Sequence, residues 1–540
     1  MTIEFQSDEF PELVFGIIAP IGVNLTLVIH ALHDTLSSVG YIPKDLRATK
    51  LMQEISIDRP LGSKAAIESY REKIEYANAL CELYGPDVMA RLSISAIRSM
   101  RAEYWKENGD IASMSANPSE DEEAKLSETP IPKYAYIIRQ FKRPEEIQLL
   151  RKVYGRQFIA ISAYASESTR IQNIRDSQLR TQAGLVDDSE AVAEATKLVA
   201  QDSKEEGGLP GQNVRDAFPL GDVFIDGQSK SACEETLKRF IKLLFGNNQI
   251  SPTRDEYGMY LAKSASLRSS DLSRQVGAAI FSEAGEVATL GCNEVPKAHG
   301  GTYWASDKSD HRDFTQGADP NDLQKKEILV DLINRLQKSG HLSKELHGGK
   351  PAIQICDELL GEKNAHAVSE SRLMDLLEFG RIIHAEMSAI SDAARKGIQI
   401  KGSTLFCTTF PCHICAKHIV AAGIGRLVYL EPYPKSYATK LHSDSIYVGS
   451  DGPISKVRFE PFIGVSPFRY RELFEKGKRK YAGVAMEWAN NVKRPQIEAY
   501  FPYYARAETL VVGEMKRRLQ AEKNKQPAVN QAQSTLKGKL

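Results

Sequence analysis

Short apolar runs and longer periodic stretches follow one another along the first third of the chain. The short runs, each bounded by turn residues, lie at 13–18, 134–139 and 157–161. The stretches with apolar residues at helical spacing lie at 25–39, 67–104 and 144–154. Runs of the first kind predict buried strands, and stretches of the second kind predict helices. Strands that alternate with helices indicate a parallel α/β domain.

The second half of the chain alternates in the same way around a predicted hairpin. Its short apolar runs, which predict strands, lie at 276–281, 287–291, 403–408 and 427–430. The first two of these strands flank a turn at Gly285 and are expected to pair. Helical periodicity covers residues 373–395 and 412–422. Polar or charged stretches, which predict loops, an insertion and a frayed tail, lie at 108–129, 178–213, 307–350 and 515–540.

Length and charge bound the organisation of the chain. At 540 residues it is too long for one ordinary hydrophobic core. We predict domains at 1–235 and 236–480, followed by a C-terminal extension at 481–540 whose last part is disordered. The 70 basic and 70 acidic residues cancel, so no global field recruits nucleic acid or an anionic membrane. Apolar stretches such as 13–21 are too short to span a bilayer, so we expect no membrane partner.

The cysteines indicate the cellular compartment. There are seven of them, an odd number, and two lie in a motif with metal-ligand spacing. That usage favours reduced thiols over a framework of disulfides. The segment 1–10 is acidic and lacks the basic flank and apolar run of a secretory signal. We therefore expect a cytoplasmic protein.

The chemistry is concentrated in two short motifs, His384-Ala385-Glu386 and Pro411-Cys412-His413-Ile414-Cys415. They match the H-x-E and P-C-x-x-C pattern of zinc-dependent deaminases. A catalytic zinc ion has three protein ligands and an open fourth position, which His384, Cys412 and Cys415 would provide. Glu386 is then free to move protons between a water molecule and a nucleobase. The pattern predicts an enzyme with Zn²⁺ as its cofactor.

The spacing of the two cysteines has a mechanical reason. Cys412 and Cys415 lie three residues apart at the start of a predicted helix, which presents both thiolates on one side of its first turn. The helix N-terminus also favours their negative charge. The alternatives are a structural zinc site, or a buried histidine with unrelated cysteines. A structural site would need a fourth ligand, for which His413 and His418 are the nearby candidates.

The chain resembles deoxycytidylate deaminases over about residues 250–470. The matching segments are 267–278, 291–297 and 411–424. The resemblance implies a cytidine-deaminase-like α/β/α domain that binds deoxycytidine nucleotides. It also implies zinc bound by His384, Cys412 and Cys415, with Glu386 as the proton shuttle. The family has Gly-Tyr-Asn-Gly where this chain has Gly291-Cys292-Asn293-Glu294.

Substrate contacts outside the zinc motif are also carried over from the resemblance or suggested by charge. Asn293 would hydrogen-bond the sugar, and Arg268 and Lys297 are candidates for binding the substrate. The cations that come into question for the phosphates are Lys263, Arg268, Arg274, Lys297 and Lys435. Each of them is also a candidate for an ordinary surface charge. The preference between dCMP and dCTP therefore stays open.

A strand, a glycine-bearing turn and a helix open the chain between Gly16 and Thr26. This layout is typical of phosphate-binding units, because backbone N–H groups at a helix N-terminus attract anions. A P-loop would have Gly-Lys where this chain has Val23-Asn24, so the lysine is missing. An ordinary strand-to-helix turn is the other interpretation. The candidate nucleotide-binding residues are Gly16, Gly22, Asn24 and Thr26.

Taken as a whole, the chain resembles bacterial anti-phage dCTP deaminases, in which a degenerate P-loop kinase-like α/β domain precedes the deaminase domain. The resemblance implies conversion of dCTP and dCMP to dUTP and dUMP, which starves phage DNA synthesis. It also implies a homo-oligomer, with a hexamer as one possibility, and control by an unknown RNA or protein. Without the P-loop lysine, we expect nucleotide sensing in the first domain rather than phosphoryl transfer.

Three other hypotheses compete with this one. A polynucleotide deaminase acting on cytosine or adenine would need a basic channel with stacking aromatic residues, and the balanced charge argues against it. A housekeeping dCMP deaminase of pyrimidine biosynthesis would share the chemistry. A signalling protein could keep the deaminase fold as a scaffold, although the intact His-Glu-Cys-Cys set argues against that.

The insertion raises the separate question of a second metal. Five potential ligands flank or occupy the region from 300 to 365, namely His299, His311, His347, Cys356 and His366. Their spacings match no compact zinc template. They predict either a second, structural metal or scattered surface histidines.

Overall fold

A computed structural model describes most of the chain. The described residues are 10–55, 57, 66–108, 119–181, 187–204, 213–343, 346, 348–361, 368, 371–433, 436–477, 479–486, 488, 494–497 and 503–537. The chain forms two compact units. Unit 1 contains residues 1–256 together with 463–540, and unit 2 contains 257–462. The domain boundaries expected at 235 and 480 stay predictions.

The secondary structure is mixed α/β. The strands are β1(Leu13–Ile18), β2(Ile42–Arg47), β3(Tyr134–Phe141), β4(Phe158–Tyr164), β5(Val223–Asp226), β6(Gly277–Phe281), β7(Val287–Cys292), β8(Thr404–Thr409), β9(Arg426–Glu431), β10(Ile446–Val448), β11(Val457–Pro461), β12(Gly464–Val465), β13(Lys480–Tyr481) and β14(Val484–Ala485). The helices are α1(Leu25–Ser38), α2(Ala48–Leu51), α3(Ala66–Tyr84), α4(Val88–Asn108), α5(Glu120–Glu128), α6(Pro144–Tyr154), α7(Glu167–Thr181), α8(Asp188–Lys204), α9(Val214–Ala217), α10(Lys230–Leu244), α11(Arg254–Ser266), α12(Asp313–Gln316), α13(Pro320–Lys338), α14(Ala352–Leu360), α15(Ala385–Lys396), α16(His413–Ala421), α17(Ala438–Leu441), α18(Tyr470–Phe474) and α19(Tyr503–Lys537). Single 3₁₀ turns lie at Met52–Glu54, Gly155–Gln157, Phe218–Leu220 and Arg372–Asp375.

Unit 1 is built on a sheet with the strand order β12-β5-β4-β1-β3-β2. The pairs β5–β4, β4–β1, β1–β3 and β3–β2 are parallel, and β12 adds an antiparallel edge. The central strand β1 is buried along its whole length. That burial explains its uninterrupted apolar sequence, because helices cover both faces of a parallel sheet. The predicted parallel α/β arrangement is confirmed, and the kinase-like assignment of this sheet stays a prediction.

A buried ionic network ties the C-terminal helix α19 into unit 1. Arg101 on α4 has no exposed surface, and its guanidinium lies 2.7 Å from Glu12 and 2.6 Å from Glu508 of α19. The hydroxyls of Tyr136 and Tyr504 donate hydrogen bonds to the Glu12 carboxylate. Burial raises the pKa of Glu12. Removing one partner of such a buried pair is costly, so this network fixes α19 firmly against α4.

Unit 2 contains the sheet β10-β11-β9-β8-β6-β7. The predicted hairpin is confirmed, because β6 pairs antiparallel with β7 from Gly277–Cys292 onward. Helix α15 packs so closely on β7 that a Cβ at Gly291 would lie 2.2 Å from the carbonyl oxygen of Ala385. On β6, a Cβ at Gly277 would lie 1.9 Å from the carbonyl oxygen of Ala262 in α11. Glycine is required at both close approaches.

Three sequence-based assignments of polar segments differ from the structure. The segment predicted as a loop at 108–129 contains α5, which begins with a capping box between Ser119 and Glu122. The polar stretch at 178–213 contains α8, whose apolar residues are few but are buried together. The tail that composition predicts to fray carries α19 as far as Lys537. Capping and a narrow apolar stripe sufficed to form helices in sequences that are polar on average.

None of the helices in the described part of the chain combines the length and the apolar character that a membrane span needs.

Candidate active site

Two helix starts bring the three predicted metal ligands together. His384 is the residue before α15, Cys412 is the residue before α16, and Cys415 lies in the first turn of α16. The Nδ1 atom of His384 is 3.3 Å from each of the two cysteine sulfurs. The three ligand atoms all lie within 4.8 Å of one another. With Zn–S bonds of about 2.3 Å and Zn–N bonds of about 2.0 Å, this spacing fits one zinc ion.

The position of His384 differs from the sequence-based prediction. A helix was expected over 373–395, but α15 begins only at Ala385. His384 has the extended backbone angles φ −66° and ψ 156° that are typical of a residue preceding a helix. Residues 372–375 form a separate 3₁₀ turn. His384 therefore approaches the cysteines from the end of a loop, not from the side of a helix.

The local environment favours the thiolate at Cys412, whereas burial raises the pKa of the Cys415 thiol. Hydrogen bonds from Cys415 and His384 lower the pKa of the Cys412 thiol to about 4. The backbone N–H of Cys415 also donates to the Cys412 sulfur at 3.5 Å. The hydrogen bond with Cys412 raises the pKa of His384 to about 9. Cys412 is thus ionised at neutral pH, and a metal ion would displace the proton of His384.

Glu386 lies beside the metal ligands without belonging to their group. It is in the first turn of α15, only 3% of it is exposed, and it lines the same cavity as His384 and Cys412. Burial raises the pKa of its carboxyl group. A carboxyl group with a raised pKa can both accept and return a proton near neutral pH, which suits a general acid–base catalyst.

The cavity has a volume of about 230 Å³ and is lined by polar and aromatic groups. Phe410 and Tyr433 form aromatic walls next to His384, Glu386 and Cys412. The described residues that line the cavity include three cations, Arg274, Lys325 and Arg381. The lining also contains four aspartates, Asp271, Asp313, Asp319 and Asp322, so the cavity offers a flat ring aromatic walls and charged partners of both signs.

Asn293 lines the cavity, and its side chain holds the backbone; its contact with the sugar stays a prediction. Its carboxamide oxygen accepts a hydrogen bond from the N–H of Val276 at 2.7 Å. Its amide nitrogen donates to the carbonyl of Arg274 at 2.8 Å. Asn293 is 6% exposed, so it shapes the cavity wall at 274–276.

Arg268 and Lys297 lie away from the cavity. The described residues that line it include neither of them. Arg268 donates to the carbonyl of Thr302 at 3.1 Å and stacks 3.5 Å from the ring centroid of Trp304. Lys297 is paired with Asp307 at 3.0 Å. Both cations are tied to the segment 302–307. Lys435, a further candidate for the phosphates, lies outside the described residues.

Sequence reasoning missed two cations of the cavity, one inside the predicted insertion at 307–350 and one after it. Lys325, on α13, is 7% exposed and lies 2.6 Å from Asp322. Arg381 lies 3.0 Å from Asp313. No pattern in the sequence marks these residues, because they line the cavity only through contacts between distant segments. Thr409 was also missed, although its place three residues before Cys412, at the end of a strand, is a usable signal.

The four residues predicted to bind a nucleotide in unit 1 lie in or beside the turn between β1 and α1. Gly16 is inside β1, where a Cβ would lie 2.9 Å from the rings of Phe141 and Phe158. Gly22 has φ +89°, and a Cβ there would lie 2.6 Å from the carbonyl oxygen of Arg170. Helix α7 therefore packs directly against the turn at Gly22.

Asn24 and Thr26 lie at the start of α1. The Asn24 side chain accepts a hydrogen bond from the N–H of Leu27, and so caps the helix. Thr26 is exposed in the first turn. Among the described residues, neither Asn24 nor Thr26 makes a contact with a charged group. Neither therefore takes the place of the lysine that a P-loop would have.

An internal carboxylate lies at the same turn. The backbone N–H of Ile21 donates to Asp202 of α8 at 2.8 Å. Lys142 lies 3.2 Å from the other oxygen of that carboxylate. A backbone N–H and a lysine around a buried anion are the elements of a phosphate site. Here they hold a carboxylate that belongs to the chain itself.

A second metal group is not found among the residues that the structure describes. The described histidine, cysteine and acidic residues form one group with metal-ligand geometry, His384, Cys412 and Cys415. His299, His311 and Cys356 do not join such a group within the described ranges. His347 and His366 lie outside the described residues, so a second site stays a prediction.

Comparison with known proteins places this cavity in a family. Residues 252–431 match the model "Cytidine and deoxycytidylate deaminase zinc-binding region". The deoxycytidylate deaminase of Enterobacteria phage T2 is 52% identical over 19% of this chain and 69% of its own length. That of phage T4 is 32% identical over 19% of this chain and 67% of its own length.

A solved structure also aligns with part of the chain. The apo dCMP deaminase of cyanophage S-TIM5 is 16% identical and covers 39% of this chain and 99% of its own, with a TM-score of 0.21. That low score supports no conclusion. The matched family region contains His384, Cys412 and Cys415, so the metal of this site is Zn²⁺. With two phage relatives above 30% identity over two thirds of their length, the chain belongs to the cytidine and deoxycytidylate deaminase family.

Proposed function

We propose that this protein removes the amino group of free deoxycytidine nucleotides by hydrolysis, converting dCMP to dUMP and dCTP to dUTP. The observation that carries the proposal is the pairing of a three-ligand zinc site with a buried acid in one cavity. His384, Cys412 and Cys415 lie within 4.8 Å, and Glu386 lines the same cavity. Three protein ligands leave the fourth position of a tetrahedral ion open for chemistry.

The residues of the cavity divide the reaction between them. A bound zinc ion supplies hydroxide at neutral pH by lowering the pKa of its water from about 15.7 to about 7. Glu386 would accept one proton from the water and pass it to the ring nitrogen, and would then carry the second proton of that water to the leaving amino group. Water and the amine are consumed, and a carbonyl and ammonia are formed. Phe410 and Tyr433 hold the ring and exclude bulk solvent.

Free nucleotides fit the cavity better than a polynucleotide does. We assign the phosphates to the three cations that line it, Arg274, Lys325 and Arg381. Lys325 lies 2.6 Å from Asp322 and Arg381 lies 3.0 Å from Asp313, so a carboxylate anchors each of these two cations. A polynucleotide would need an open basic channel. The chain as a whole carries no net charge.

A substrate panel tests this assignment. Purified protein is given dCMP, dCTP or a cytosine-containing oligonucleotide, and ammonia release is measured. We expect release from dCMP and dCTP, and background release from the oligonucleotide. Equal or faster release from the oligonucleotide would reject the proposal in favour of a polynucleotide deaminase. No release from any of the three would reject a deaminase altogether.

We further propose that depletion of the deoxycytidine nucleotide pool serves antiviral defence in the cytoplasm, and that unit 1 senses a nucleotide. All seven cysteines are free thiols, as a reducing compartment requires. The arrangement of Ile21, Lys142 and Asp202 supports an anion site at the β1–α1 turn, because a phosphate could replace the Asp202 carboxylate. A housekeeping dCMP deaminase would show the same turnover without protecting cells.

Two measurements test this wider role. Cells that express the wild-type chain should survive phage infection better than cells that express Glu386→Gln, and equal survival would favour the housekeeping alternative. Calorimetry with ATP should show tighter binding by Asp202→Asn than by the wild-type chain, since the competing carboxylate charge is gone. Unchanged binding would reject a nucleotide site at this turn. Light scattering that returns a mass near 60.0 kDa at all concentrations would reject the proposed homo-oligomer.

A further inference from the structure

Thr409 ends β8 on the face of the sheet that carries the zinc site. Side chains alternate along a strand, so Leu405, Cys407 and Thr409 share one face. Leu405 and Cys407 belong to the same core as Cys412 and Cys415. Thr409 itself lines the cavity that contains His384 and Glu386. Its side chain is therefore part of the wall where the reacting ring must lie.

The hydroxyl of Thr409 has an unusual environment for a buried group. Thr409 is 7% exposed, and its Oγ1 atom is buried without a hydrogen-bond partner in the described part of the chain. A buried polar group normally has such a partner, because leaving it unsatisfied is costly. The unsatisfied hydroxyl thus lowers the stability of the folded protein, and a ligand in the cavity that hydrogen-bonds to it can remove this loss.

The neighbouring threonine shows what an ordinary buried hydroxyl does in this strand. Thr408 points to the other face and is 2% exposed. Its Oγ1 atom accepts a hydrogen bond from the backbone N–H of Gly277 at 3.1 Å, which joins β8 to β6. Thr408 is satisfied by the fold alone. Two adjacent residues of the same type and similar burial therefore differ in the face that they occupy and in whether the described part of the protein supplies a hydrogen-bond partner.

We propose that the Thr409 hydroxyl hydrogen-bonds the polar edge of the pyrimidine base and is a specificity-determining residue of this enzyme. This inference rests on the proposed function, since it names a contact to the same substrate. The base is the part of the substrate that must reach Glu386 and Cys412, whereas the cations of the cavity suit the phosphates. A hydroxyl both donates and accepts, as does the edge of cytosine. When only the correct substrate can hydrogen-bond a buried polar group of the site, the enzyme discriminates strongly against analogues that lack the matching group.

The test is the isosteric variant Thr409→Val, which removes the hydroxyl and keeps the shape. We expect the KM for dCMP to rise about tenfold, the value of one lost hydrogen bond, with kcat changed less than about twofold. Zinc content should stay at the wild-type value. The melting temperature should rise by about 2 to 4 °C, because the unsatisfied group is gone from the empty enzyme. A residue with a purely structural role would show the opposite shift.

Two matched variants complete the experiment. Thr409→Ser keeps a hydroxyl and should restore a KM within about twofold of the wild type. Thr408→Val removes the partner of the Gly277 N–H and should lower the melting temperature.

The outcomes are separable. An unchanged KM in Thr409→Val, a loss confined to kcat, or a lowered melting temperature would each overturn the assignment of Thr409. Wild-type protein is assayed in parallel with dCMP and dCTP, and its failure to release ammonia from either nucleotide would overturn the proposed function and this inference together. If the wild type turns over and Thr409→Val has the same KM as the wild type, only the inference about Thr409 is overturned.

Discussion

Two turns of this protein share the same local layout and have different contents. At the β8–α16 turn a buried strand leads into a helix whose preceding residue is Cys412. At the β1–α1 turn a buried strand leads into a helix whose preceding residue is Asn24. The first turn faces a cavity of about 230 Å³. The second is covered by α7 and holds the Asp202 carboxylate.

The difference between the turns lies in what packs around them. Each turn directs a backbone N–H at a negative charge: the N–H of Cys415 donates to the Cys412 sulfur, and the N–H of Ile21, which precedes α1, donates to Asp202. In unit 2 that charge is a thiolate, and His384 arrives from another helix start to complete a metal site. In unit 1 the charge is a carboxylate supplied from 181 residues away along the chain. The strand–turn–helix layout predicts a negative group at the turn. The surrounding elements decide whether that group is a metal-binding thiolate, as in unit 2, or a carboxylate from a distant helix, as in unit 1.

The largest effect should follow from removing the thiolate at the first turn. Cys412→Ala should lose its zinc and with it all measurable deamination, because two ligands do not hold the ion. Zinc per chain by elemental analysis and ammonia release from dCMP decide it. Cys233→Ala, a similar truncation in the core of unit 1, should keep both. Retention of full zinc by Cys412→Ala would remove this residue from the site.

A second carboxylate in unit 1, at the start of α6, should give a pH-dependent stability. Glu146 accepts hydrogen bonds from the N–H groups of Lys142 and Arg143, and burial raises its pKa from 4.5 to about 7. The folded state then holds this proton more tightly than the unfolded state. The protonated Glu146 carboxyl therefore contributes to the free energy of unfolding in full below pH 4.5, and this contribution is lost as the pH rises through about 7. It amounts to about 3 kcal/mol.

Denaturant unfolding between pH 4 and 8 measures this effect. The free energy of unfolding of the wild type should fall across that window relative to Glu146→Gln, which carries no titrating group. Parallel curves for the two proteins would show that Glu146 does not take up a proton on folding within this window.

The packing of α7 on the β1–α1 turn can be isolated with two glycines. Gly22 and Gly40 both have positive φ, +89° and +81°. A Cβ at Gly22 would collide with the backbone of Arg170, whereas a Cβ at Gly40 meets nothing within 4 Å. We expect Gly22→Ala to lower the free energy of unfolding by about 2 kcal/mol more than Gly40→Ala. Equal losses would mean that α7 does not cover the turn in solution.

The smallest effect concerns the residue that stands where a P-loop has its lysine. Asn24→Ala removes the cap of α1 and should cost about 1 kcal/mol of stability without changing deamination. Thr26→Ala, at an exposed position two residues on, should change stability by less than about 0.5 kcal/mol. Equal stability of Asn24→Ala and the wild type would contradict the capping role.

The sequence predicts most where the chemistry is local. His384, Cys412 and Cys415 could be named because their spacing is compact and chemically specific, and the structure brings them together. The parallel sheet of unit 1 follows from its apolar runs. Contacts that depend on distant segments could not be foreseen. Lys325 and Arg381 line the cavity although they are far from the zinc motifs or unmarked by any pattern, and Asp202 reaches the β1–α1 turn through α8.

Local signals also misled in identifiable ways. The charges of Arg268 and Lys297 made them candidates for the substrate, but stacking on Trp304 and pairing with Asp307 hold them elsewhere. Helical periodicity before His384 predicted a helix, yet the chain is extended at His384 itself. For Arg268, Lys297 and His384, the chemical type of the residue is plain from the sequence, but its position depends on residues that are near it only in the folded structure.

The central claim is that Glu386 moves protons beside a zinc ion that it does not bind. The most direct measurement combines zinc content and ammonia release from dCMP for Glu386→Gln and the wild type. We predict wild-type zinc content, with deamination reduced by a factor of about 10² to 10⁴ or more. Loss of zinc together with activity would make Glu386 a ligand, and full activity with full zinc would remove it from the reaction. Either result would contradict the account.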